Sequence, residues 1–373
     1  MKTITPYRFL FAGGGTGGHL FPAVAVAEKI RLLKPEAEIL FLGTKSKIEG
    51  RVVPKLGFQF KPIWIKGFAR KFAVENFLFP VKLLVSVVQS FIYCIKFKPQ
   101  VAIGSGGYVA GPVLFAANIF GAKIMLLEQN SFPGITTRLL EKYAQEIHLS
   151  YESSKKYFKR NKPLFVTGNP VRNVNTLLDK STALEKLKLS LEKKTLLLLG
   201  GSLGARKLNQ VMATELDSLL KSGIQIIWQT GSLYFEQYKH LHSENCKVLA
   251  FVEDMQLVYS ACDLIISRSG ATTLAEITSY GLASVLIPSP NVAENHQYYN
   301  AKSLVGADAA VLLEEKNVEE NFTKEILSLM KNEDRLKTIR ANARALGKPD
   351  AAAEIASHAL RLAEKKLIKG NNV

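Results

Sequence analysis

Residues 11–19 read FAGGGTGGH, and this glycine-rich stretch lies between an apolar run, residues 7–12, and a segment of helical character, residues 23–33. Glycines let a backbone approach a ligand closely, and a helix that follows them directs its free N–H groups at an anion. The same order occurs again, because the apolar run 195–199 precedes GGSLGA at residues 200–205 and a helical pattern at 207–220. Two such units predict two nucleotide-binding-type domains that face each other.

The rest of the chain alternates short apolar runs with segments of helix length. This rhythm is typical of a doubly wound α/β fold with a mostly parallel sheet in each half. Gly168-Asn169-Pro170 interrupts the pattern, and the polar residues 173–190 are expected to connect the halves. We therefore predict domains at residues 1–172 and 173–373, with an alanine-rich last helix (350–366) that is able to pack back on the first domain. The predicted strands are 7–12, 38–43, 59–65, 101–104, 123–127, 146–149, 164–167, 195–199, 224–228, 247–251, 264–267, 284–287 and 310–313.

The composition supports two domains and indicates an anionic partner. The 373 residues are 47% hydrophobic, enough for two cores, and the net charge is +17. Residues 1–180 hold 26 Lys and Arg against 10 Asp and Glu, whereas the remainder holds 23 against 22. The basic first half fits a membrane surface, a nucleic acid or a phosphorylated substrate. Nucleic-acid binding would need basic residues interleaved with exposed aromatics, a pattern that the sequence lacks outside residues 72–97.

The cysteines and the first residues bear on the compartment. Cys94, Cys246 and Cys262 are far apart and form no CxxC pair, so the sequence suggests neither a disulfide framework nor a zinc site. The first residues contain too short an apolar run for a signal peptide. Both observations favour a cytoplasmic protein.

Residues 72–97, FAVENFLFPVKLLVSVVQSFIYCIKF, are unusually apolar for such a domain. Their uncharged part, 83–95, is shorter than the ~20 residues that span a bilayer. We expect a buried crossover helix over 81–95. Residues 67–79 either join the core or expose an apolar patch beside Lys66, Arg70 and Lys71, where an anionic membrane would attract it.

The first glycine loop matches GxGxxG when read from Gly13, but a dinucleotide site needs a second feature. An acidic residue about 20 positions later, at the end of the second strand, would hold a ribose hydroxyl. That strand ends in Gly43-Thr44-Lys45, with no acid. NAD binding is therefore disfavoured.

His19 directly follows this loop at a helix start, where the positive end of the helix dipole disfavours a protonated imidazole. We predict that His19 is a proton acceptor; the alternative is a histidine that only packs against the loop.

Tyr108 follows the strand 101–104, and Glu128 and Asn130 follow the strand 123–127. Ligands bind at the carboxyl ends of parallel strands, so these side chains are expected to converge with His19, although Glu128 alone also fits a structural acid.

The second half carries RSGATTLAE at residues 268–276, between a strand and a helix. Ser269 and Gly270 leave helix N–H groups free for a diphosphate, and Glu276, one turn later, can accept both hydroxyls of a ribose. A carboxylate near a helix N-terminus is also an ordinary dipole partner. ENHQ at 294–297 offers amide and imidazole groups for sugar hydroxyls.

The sequence contains no Asp-x-Asp, the paired carboxylates that commonly hold Mg²⁺ or Mn²⁺ in metal-dependent transferases, so we expect no catalytic metal. Helix N-termini and Arg172 would balance the charge of a leaving diphosphate instead.

Taken together, the motifs resemble the MurG family of bacterial glycosyltransferases. The resemblance rests on GGGTGGH (13–19), GSGGYVAGP (104–112), EQN (128–130), GNPVR (168–172), GGSLGA (200–205) and RSGATTLAE (268–276), in the same order and over nearly the whole chain. It implies a GT-B fold, which consists of two Rossmann-like doubly wound parallel-sheet domains with an interdomain cleft.

The resemblance also implies an activity. An inverting, metal-independent transferase without a cofactor would move N-acetylglucosamine from UDP-GlcNAc to the C4 hydroxyl of the muramoyl sugar in lipid I, forming lipid II for peptidoglycan. Residues 1–172 would bind the acceptor and an anionic membrane, through the patch at 67–79, and residues 173–373 would bind UDP-GlcNAc. The enzyme would lie at the cytoplasmic face of the inner membrane and would bind no nucleic acid. An alternative within the fold is a UDP-GlcNAc epimerase, which would share the donor site but would need catalytic carboxylates and no membrane patch.

The resemblance implies a role for each matching residue. His19 would take or relay the proton of the acceptor hydroxyl, with Tyr108, Glu128 and Asn130 assisting, and Glu276 would hold the ribose. Gln297 would bind the GlcNAc hydroxyls, and His296 stands where some members have a glutamine. The other implied contacts are the acceptor-side loop Thr16, Gly17 and Gly18, the donor positions Ser202, Ala271, Thr272 and Thr273, and Arg172 near the diphosphate.

Overall fold

The chain forms two compact units, residues 1–173 together with 348–373, and residues 174–347. The computed structural model describes residues 6–67, 78–159, 161, 163–172, 177–201 and 204–370, without the side chains of residues 293 and 367–370. Each unit is built on one parallel sheet with helices on both faces.

The first unit contains a seven-stranded sheet in the order β3-β2-β1-β4-β5-β6-β7. Every pairing in it is parallel, and the order reverses direction between β1 and β4, as in doubly wound folds. Its strands are β1 (Arg8–Gly13), β2 (Glu38–Gly43), β3 (Gln59–Pro62), β4 (Val101–Gly106), β5 (Lys123–Glu128), β6 (Ala144–Leu149) and β7 (Leu164–Phe165). Its helices are α1 (Gly17–Leu33), α2 (Ile48–Lys55), α3 (Phe79–Phe97), α4 (Ala110–Ile119), α5 (Ile135–Leu140) and, at the end of the chain, α14 (Ala351–Gly370).

The second unit contains a six-stranded parallel sheet in the order β10-β9-β8-β11-β12-β13. The order again reverses beside the first strand, between β8 and β11. Its strands are β8 (Lys194–Leu199), β9 (Ile224–Gln229), β10 (Cys246–Leu249), β11 (Leu264–Ser267), β12 (Ser284–Leu286) and β13 (Val311–Leu312). Its helices are α6 (Lys180–Leu187), α7 (Arg206–Lys221), α8 (Phe235–Tyr238), α9 (Met255–Ala261), α10 (Ala271–Tyr280), α11 (His296–Val305), α12 (Val318–Lys331) and α13 (Glu333–Leu346).

The strands are apolar throughout because both faces of each sheet are covered. In β1, Phe9 and Phe11 join the core cluster on one face, while Leu10 and Ala12 join the cluster on the other. Neighbouring residues of a strand point to opposite faces, so a strand buried on both sides must be apolar at every position. A buried strand therefore shows in the sequence as a short apolar run, and each of the thirteen predicted runs overlaps an observed strand. The prediction of two doubly wound parallel sheets is confirmed.

Two sequence expectations are wrong. The segment 173–190 is not only a connection, because α6 lies within it and packs on α9 in the second unit. The helix over 81–95 is not mainly core. Only the small side chains Ser86, Ser90 and Cys94, spaced four residues apart, are buried along α3. They form the contact face toward α4, and the opposite face remains exposed.

Helix α3 has a second notable property. Among the described residues, α3 is the helix that is long and apolar enough to cross a membrane. Core helices of soluble proteins can have the same length and composition. Its exposed side chains include Val81, Leu84, Val88, Ile92 and Ile95, which follow the spacing of one helix face. The patch predicted at residues 67–79 lies mostly outside the described residues; of its members, Leu78 is exposed.

The last helix belongs to the first unit. Helix α14 packs on α1, and Ile355, Ala356, Ala359 and Ala363 complete the same core cluster as Phe9 and Phe11. The last segment of the chain therefore closes one face of the first sheet.

Candidate active site

The first glycine loop connects β1 to α1 and is shaped by close packing. Gly15 has φ +85°, in the left-handed region that favours glycine, and a Cβ on Gly13 would lie 1.7 Å from Ser105 Oγ. Thr16 occupies the N-cap position of α1 in an extended conformation, and its side chain makes no capping hydrogen bond. Thr16 and Gly18 are exposed, and Gly17 is partly exposed. The predicted acceptor-side residues thus lie at an accessible helix N-terminus.

A buried carboxylate supports this loop from below. Glu49 accepts hydrogen bonds from the N–H groups of Gly15 and Thr44, each at 3.0 Å. It is 1% exposed, and it links the loop after β1 to the loop after β2. No local motif in the sequence marks Glu49.

His19 is held in one orientation by a backbone carbonyl. Its Nδ1 lies 2.8 Å from the carbonyl oxygen of Ser105 and 3.3 Å from Oε1 of Gln129. Both partners are acceptors, so Nδ1 carries the proton and Nε2 carries a lone pair. In return, Ser105 Oγ donates to the carbonyl of His19 at 2.6 Å. An imidazole fixed in this tautomer can accept a proton at Nε2.

Two glycines make room for this imidazole. Gly106 has φ +97°, and a Cβ there would lie 2.8 Å from His19 Nδ1. Gly107 has φ +77°, and a Cβ there would lie 2.6 Å from the carbonyl oxygen of Gly14. The segment Ser105-Gly106-Gly107, at the end of β4, therefore packs directly against the first glycine loop and His19.

Tyr108 lies over the first glycine loop, as the convergence of strand ends predicts. A Cβ on Gly15 would lie 3.1 Å from the Tyr108 ring, and one on Gly67 would lie 2.9 Å from it. The side chain is partly exposed, and burial raises the pKa of its hydroxyl. Tyr108 is therefore protonated at neutral pH and can donate a hydrogen bond.

Glu128 is more deeply enclosed than a solvent-facing base. Oε1 accepts from the backbone N–H of Asn130 at 3.0 Å and from its side chain at 3.4 Å, and Oε2 accepts from the N–H of Gly134 at 3.0 Å. The side chain is 3% exposed, and burial raises its pKa against the effect of these bonds. These contacts show that Glu128 organises the turn after β5, which carries Asn130. A direct role of Glu128 in catalysis remains a prediction.

Arg172, at the end of the first unit, is paired with another residue. Its Nε and Nη2 donate to the two carboxylate oxygens of Glu28 on α1, at 3.0 and 2.6 Å. The pair lines a pocket of about 380 Å³ beside α1. A contact between Arg172 and a diphosphate would need this partly exposed ion pair to open.

In the second unit, the second glycine loop follows β8. Gly204 has φ +84°, and a Cβ there would lie 2.2 Å from the carbonyl oxygen of Thr230, so only glycine fits. Gly201 also has a positive φ, +78°. Ser202, a predicted donor contact, lies outside the described residues.

Two buried hydroxyl groups lie at the N-terminus of α10. The side-chain oxygens of Ser269 and Thr272 are buried and have no hydrogen-bond partner among the described residues. A buried hydroxyl without a partner is costly, and ligand groups commonly satisfy such atoms at binding sites. Ala271 opens the helix, and Thr273 is partly exposed beside it. This site suits an anion, because the first N–H groups of α10 are also free of intrahelical partners.

Glu276 lies one turn further along α10 and accepts a hydrogen bond from a tyrosine. The buried Tyr259 of α9 donates its hydroxyl to Glu276 Oε2 at 2.8 Å. Burial raises the pKa of Glu276 to about 7, and the bond from Tyr259 opposes that rise. A carboxylate held in this way can also accept hydrogen bonds from a hydroxyl-bearing ligand. Tyr259 was missed from the sequence because it lies in a different helix.

The segment before α11 is strained. Glu294 and Asn295 are consecutive non-glycine residues with φ of +53° and +50°. Such conformations cost free energy and are concentrated at ligand sites. Directly after them, Gln297 accepts a hydrogen bond from the N–H of Ser289 at 2.9 Å through Oε1, which orients its amide. His296 is partly exposed beside it.

The two units thus carry complementary chemistry. The first offers an oriented imidazole at a glycine loop, and the second offers an anion-binding helix N-terminus with a carboxylate one turn later. The first set can activate a hydroxyl, and the second can hold a nucleoside diphosphate.

The chain is similar to known proteins over most of its length. Residues 9–149 match the glycosyltransferase family 28 N-terminal domain, and residues 195–355 match the glycosyltransferase family 28 C-terminal domain. The UDP-N-acetylglucosamine–N-acetylmuramyl-(pentapeptide) pyrophosphoryl-undecaprenol N-acetylglucosamine transferase of Flavobacterium psychrophilum is 43% identical over 363 residues, which cover 96% of this chain and 99% of that protein.

Solved structures show the same fold. The crystal structure of Acinetobacter baumannii MurG matches with a TM-score of 0.75 and 26% identity, over 95% of this chain and all of that one. A putative UDP-N-acetylglucosamine 2-epimerase from Listeria monocytogenes matches with a TM-score of 0.65 at 12% identity, over 94% of this chain and 95% of that one. The second likeness shows the fold alone. The predicted GT-B type of two doubly wound domains is confirmed, but the fold by itself does not separate a transferase from an epimerase.

Proposed function

Since the chain belongs to the UDP-N-acetylglucosamine–N-acetylmuramyl-(pentapeptide) pyrophosphoryl-undecaprenol N-acetylglucosamine transferases of glycosyltransferase family 28, we propose that it converts lipid I to lipid II. It transfers N-acetylglucosamine from UDP-GlcNAc to the C4 hydroxyl of the muramoyl sugar, with inversion at the anomeric carbon. Residues 1–172 bind the lipid-linked acceptor, and residues 173–373, apart from the returning last helix, bind UDP-GlcNAc.

The second unit supplies the donor contacts. The diphosphate binds at the N-terminus of α10, where Thr272, Thr273 and the free helix N–H groups can donate to it. Glu276 accepts both ribose hydroxyls, and Tyr259 holds its carboxylate in place. Gln297 contacts the hydroxyls of the sugar. The unpartnered oxygens of Ser269 and Thr272 support this assignment.

The first unit supplies the proton acceptor. Nε2 of His19 takes the proton of the acceptor C4 hydroxyl while that oxygen attacks the anomeric carbon of the donor. The bond between the anomeric carbon and the diphosphate oxygen breaks, and UDP leaves with the electron pair. Attack opposite the leaving group inverts the anomeric carbon. The loop of Thr16, Gly17 and Gly18 faces the diphosphate of the lipid, and Tyr108 and Asn130 position the sugar.

The orientation of His19 carries this proposal. An epimerase of the same fold needs no base for an acceptor hydroxyl, whereas Nδ1 here is fixed by Ser105 and Nε2 is left as the acceptor. No metal takes part in the proposed chemistry, because helix N-termini meet the charge of the diphosphate.

We further propose that the enzyme associates peripherally with the cytoplasmic face of the inner membrane. The exposed face of α3 provides the contact, since it presents five aliphatic side chains and the helix also carries Lys82 and Lys96. Apolar side chains enter the interface, and basic residues are attracted to anionic lipid headgroups.

The direct test measures UDP release from UDP-GlcNAc with and without a lipid I analogue. We expect release that depends on the acceptor and that added Mg²⁺ or Mn²⁺ does not raise in metal-stripped protein. Equal release without acceptor would contradict the transferase proposal and favour an epimerase or a hydrolase.

A further inference from the structure

Three potential metal ligands lie together in the first unit, away from the glycine loop. Glu146 and His148 are on β6, and His358 is on α14. The Oε2 atom of Glu146 lies 3.4 Å from Nε2 of His148 and 2.8 Å from Nδ1 of His358. One ligand atom from each residue lies within 4.8 Å of the other two. The ligand atoms around a tetrahedral Zn²⁺ are about 3.3 Å apart, so small shifts would bring this set onto one ion.

The surroundings restrict the two imidazoles. Their rings are nearly perpendicular, with centroids 4.9 Å apart, and the ring of Phe165 packs against both. Both histidines are buried, and Glu146 is partly exposed. Phe165 therefore shields the two imidazole rings from bulk water, and the partly exposed Glu146 leaves one side from which an ion can enter.

A further contact lies behind His148. The hydroxyl of Thr167 is 3.4 Å from Nδ1 of His148, the nitrogen that faces away from Glu146. Histidines that bind metals commonly have such a partner on the second nitrogen, because it fixes the ring and the tautomer. Here the partner is a hydroxyl, which can either donate to Nδ1 or accept from it.

The chemistry of the three side chains suits a divalent cation. Glu354, one turn before His358 on α14, adds negative charge near His148. A carboxylate with two imidazoles is a donor set that zinc accepts in proteins.

We propose that Glu146, His148 and His358 form a structural Zn²⁺ site that ties the C-terminal helix to β6. The ion replaces hydrogen bonds that the two imidazoles otherwise share with Glu146. When Zn²⁺ binds His148 at Nε2, the ring proton moves to Nδ1, and the hydroxyl of Thr167 turns from donor to acceptor. The fourth position of the ion is filled by water from the exposed side of Glu146. The site is independent of glycosyl transfer.

The test uses the full-length chain without an affinity tag, after removal of metals. Titration with Zn²⁺ against a competing fluorescent chelator should show one ion per chain, and Co²⁺ should give the visible absorption of a tetrahedral complex. Saturation at a hundredfold excess over Kd should raise the melting temperature of the first unit by about 5–10 °C. His358→Gln should weaken Zn²⁺ binding at least tenfold, whereas the exposed His240→Gln in the second unit should not change it.

A second variant tests the proposal even if His358→Gln fails to fold. Thr167→Val keeps the three ligands and should weaken Zn²⁺ binding several-fold without removing it. If the wild type binds Zn²⁺ no better than the His358→Gln variant, or if Zn²⁺ leaves its melting temperature unchanged, the cluster is only hydrogen-bonded and the proposal is wrong.

Discussion

At the scale of single residues, the proposed chemistry depends on contacts that set a charge or a tautomer. Glu276 shows this best, because burial raises its pKa to about 7 while its proposed role requires the ionised form. Tyr259 opposes the shift by donating to the carboxylate. Donor binding should therefore respond to pH in the physiological range.

We predict that the affinity for UDP-GlcNAc rises about tenfold from pH 6 to pH 8. The sign follows from the raised pKa, since the carboxyl group is mostly protonated at pH 6 and ionised at pH 8, where it accepts both ribose hydroxyls. Calorimetric titration at each pH measures the change. Glu276→Gln should flatten the profile, and Tyr259→Phe should move its midpoint to higher pH because a bond that favours the carboxylate is lost. A flat wild-type profile would remove Glu276 from the ribose site.

His19→Ala should lower turnover by roughly 10²-fold or more, because the proposed base is lost. The Kd for UDP-GlcNAc should stay the same, since His19 lies in the other unit. Steady-state kinetics with a lipid I analogue measures the first value and calorimetry the second. His240→Ala, an exposed histidine of the second unit, is the control. Unchanged turnover in His19→Ala would return this residue to a packing role.

At the scale of elements, the end of β4 and the exposed face of α3 carry the functional assignments. At the end of β4, the absence of a side chain at Gly106 leaves room for the imidazole of His19. In α3, small buried side chains on one face and aliphatic exposed ones on the other give the helix two distinct partners.

Gly106→Ala should reduce turnover strongly by displacing His19. The new Cβ would lie 2.8 Å from Nδ1, and φ of +97° is unfavourable for alanine. Gly111→Ala provides the matched control, because the position is in helix α4 and the added Cβ would have no described atom within 4 Å apart from its chain neighbours and the backbone of its own helix. That variant should keep full turnover and gain about 0.4–1 kcal/mol of stability. Comparable losses in both variants would argue against a specific effect on His19.

Replacing Leu84, Val88 and Ile92 together by Gln should weaken binding to vesicles that contain anionic lipid. These side chains are exposed, Leu84 by 66%, so the change removes apolar contact area without opening a cavity. Co-sedimentation measures the binding, and the melting temperature should remain within a few degrees of the wild type. Leu233→Gln, at an exposed position of the second unit, is the control. Unaltered sedimentation of the triple variant would place the membrane contact elsewhere.

At the scale of the whole molecule, the chain is divided into two units that do not follow the order of the sequence. Residues 348–373 return to the first unit, where α14 supplies part of the core against α1. A change in the last helix should therefore affect the first unit rather than the unit that precedes it in the chain.

Ile355→Ala should destabilise the first unit by about 2–5 kcal/mol, because the fully buried side chain leaves a cavity in the core. Hydrogen exchange followed by mass spectrometry should show faster exchange in β1, β4 and β5 and unchanged exchange in β8, β9 and β11. Ser357→Ala, on the exposed side of the same helix, should change neither set. Faster exchange in the second unit as well would mean that the two units unfold together.

The sequence by itself determined the strands, the glycine loops and the family. Strands covered on both faces must be apolar at every position, positive φ and close backbone contacts require glycine, and these patterns are local. His19, Thr272 and Glu276 could be chosen because each follows such a loop.

The tertiary structure decided which side chains act on one another. The partners of His19 lie 86 and 110 residues away, the histidine on α14 that meets Glu146 lies 212 residues from it, and Tyr259 reaches Glu276 from another helix. It also decided that α3 exposes its apolar face. No local pattern encodes these outcomes, because a side chain's charge, tautomer and exposure depend on distant segments that only the packed sheets bring together.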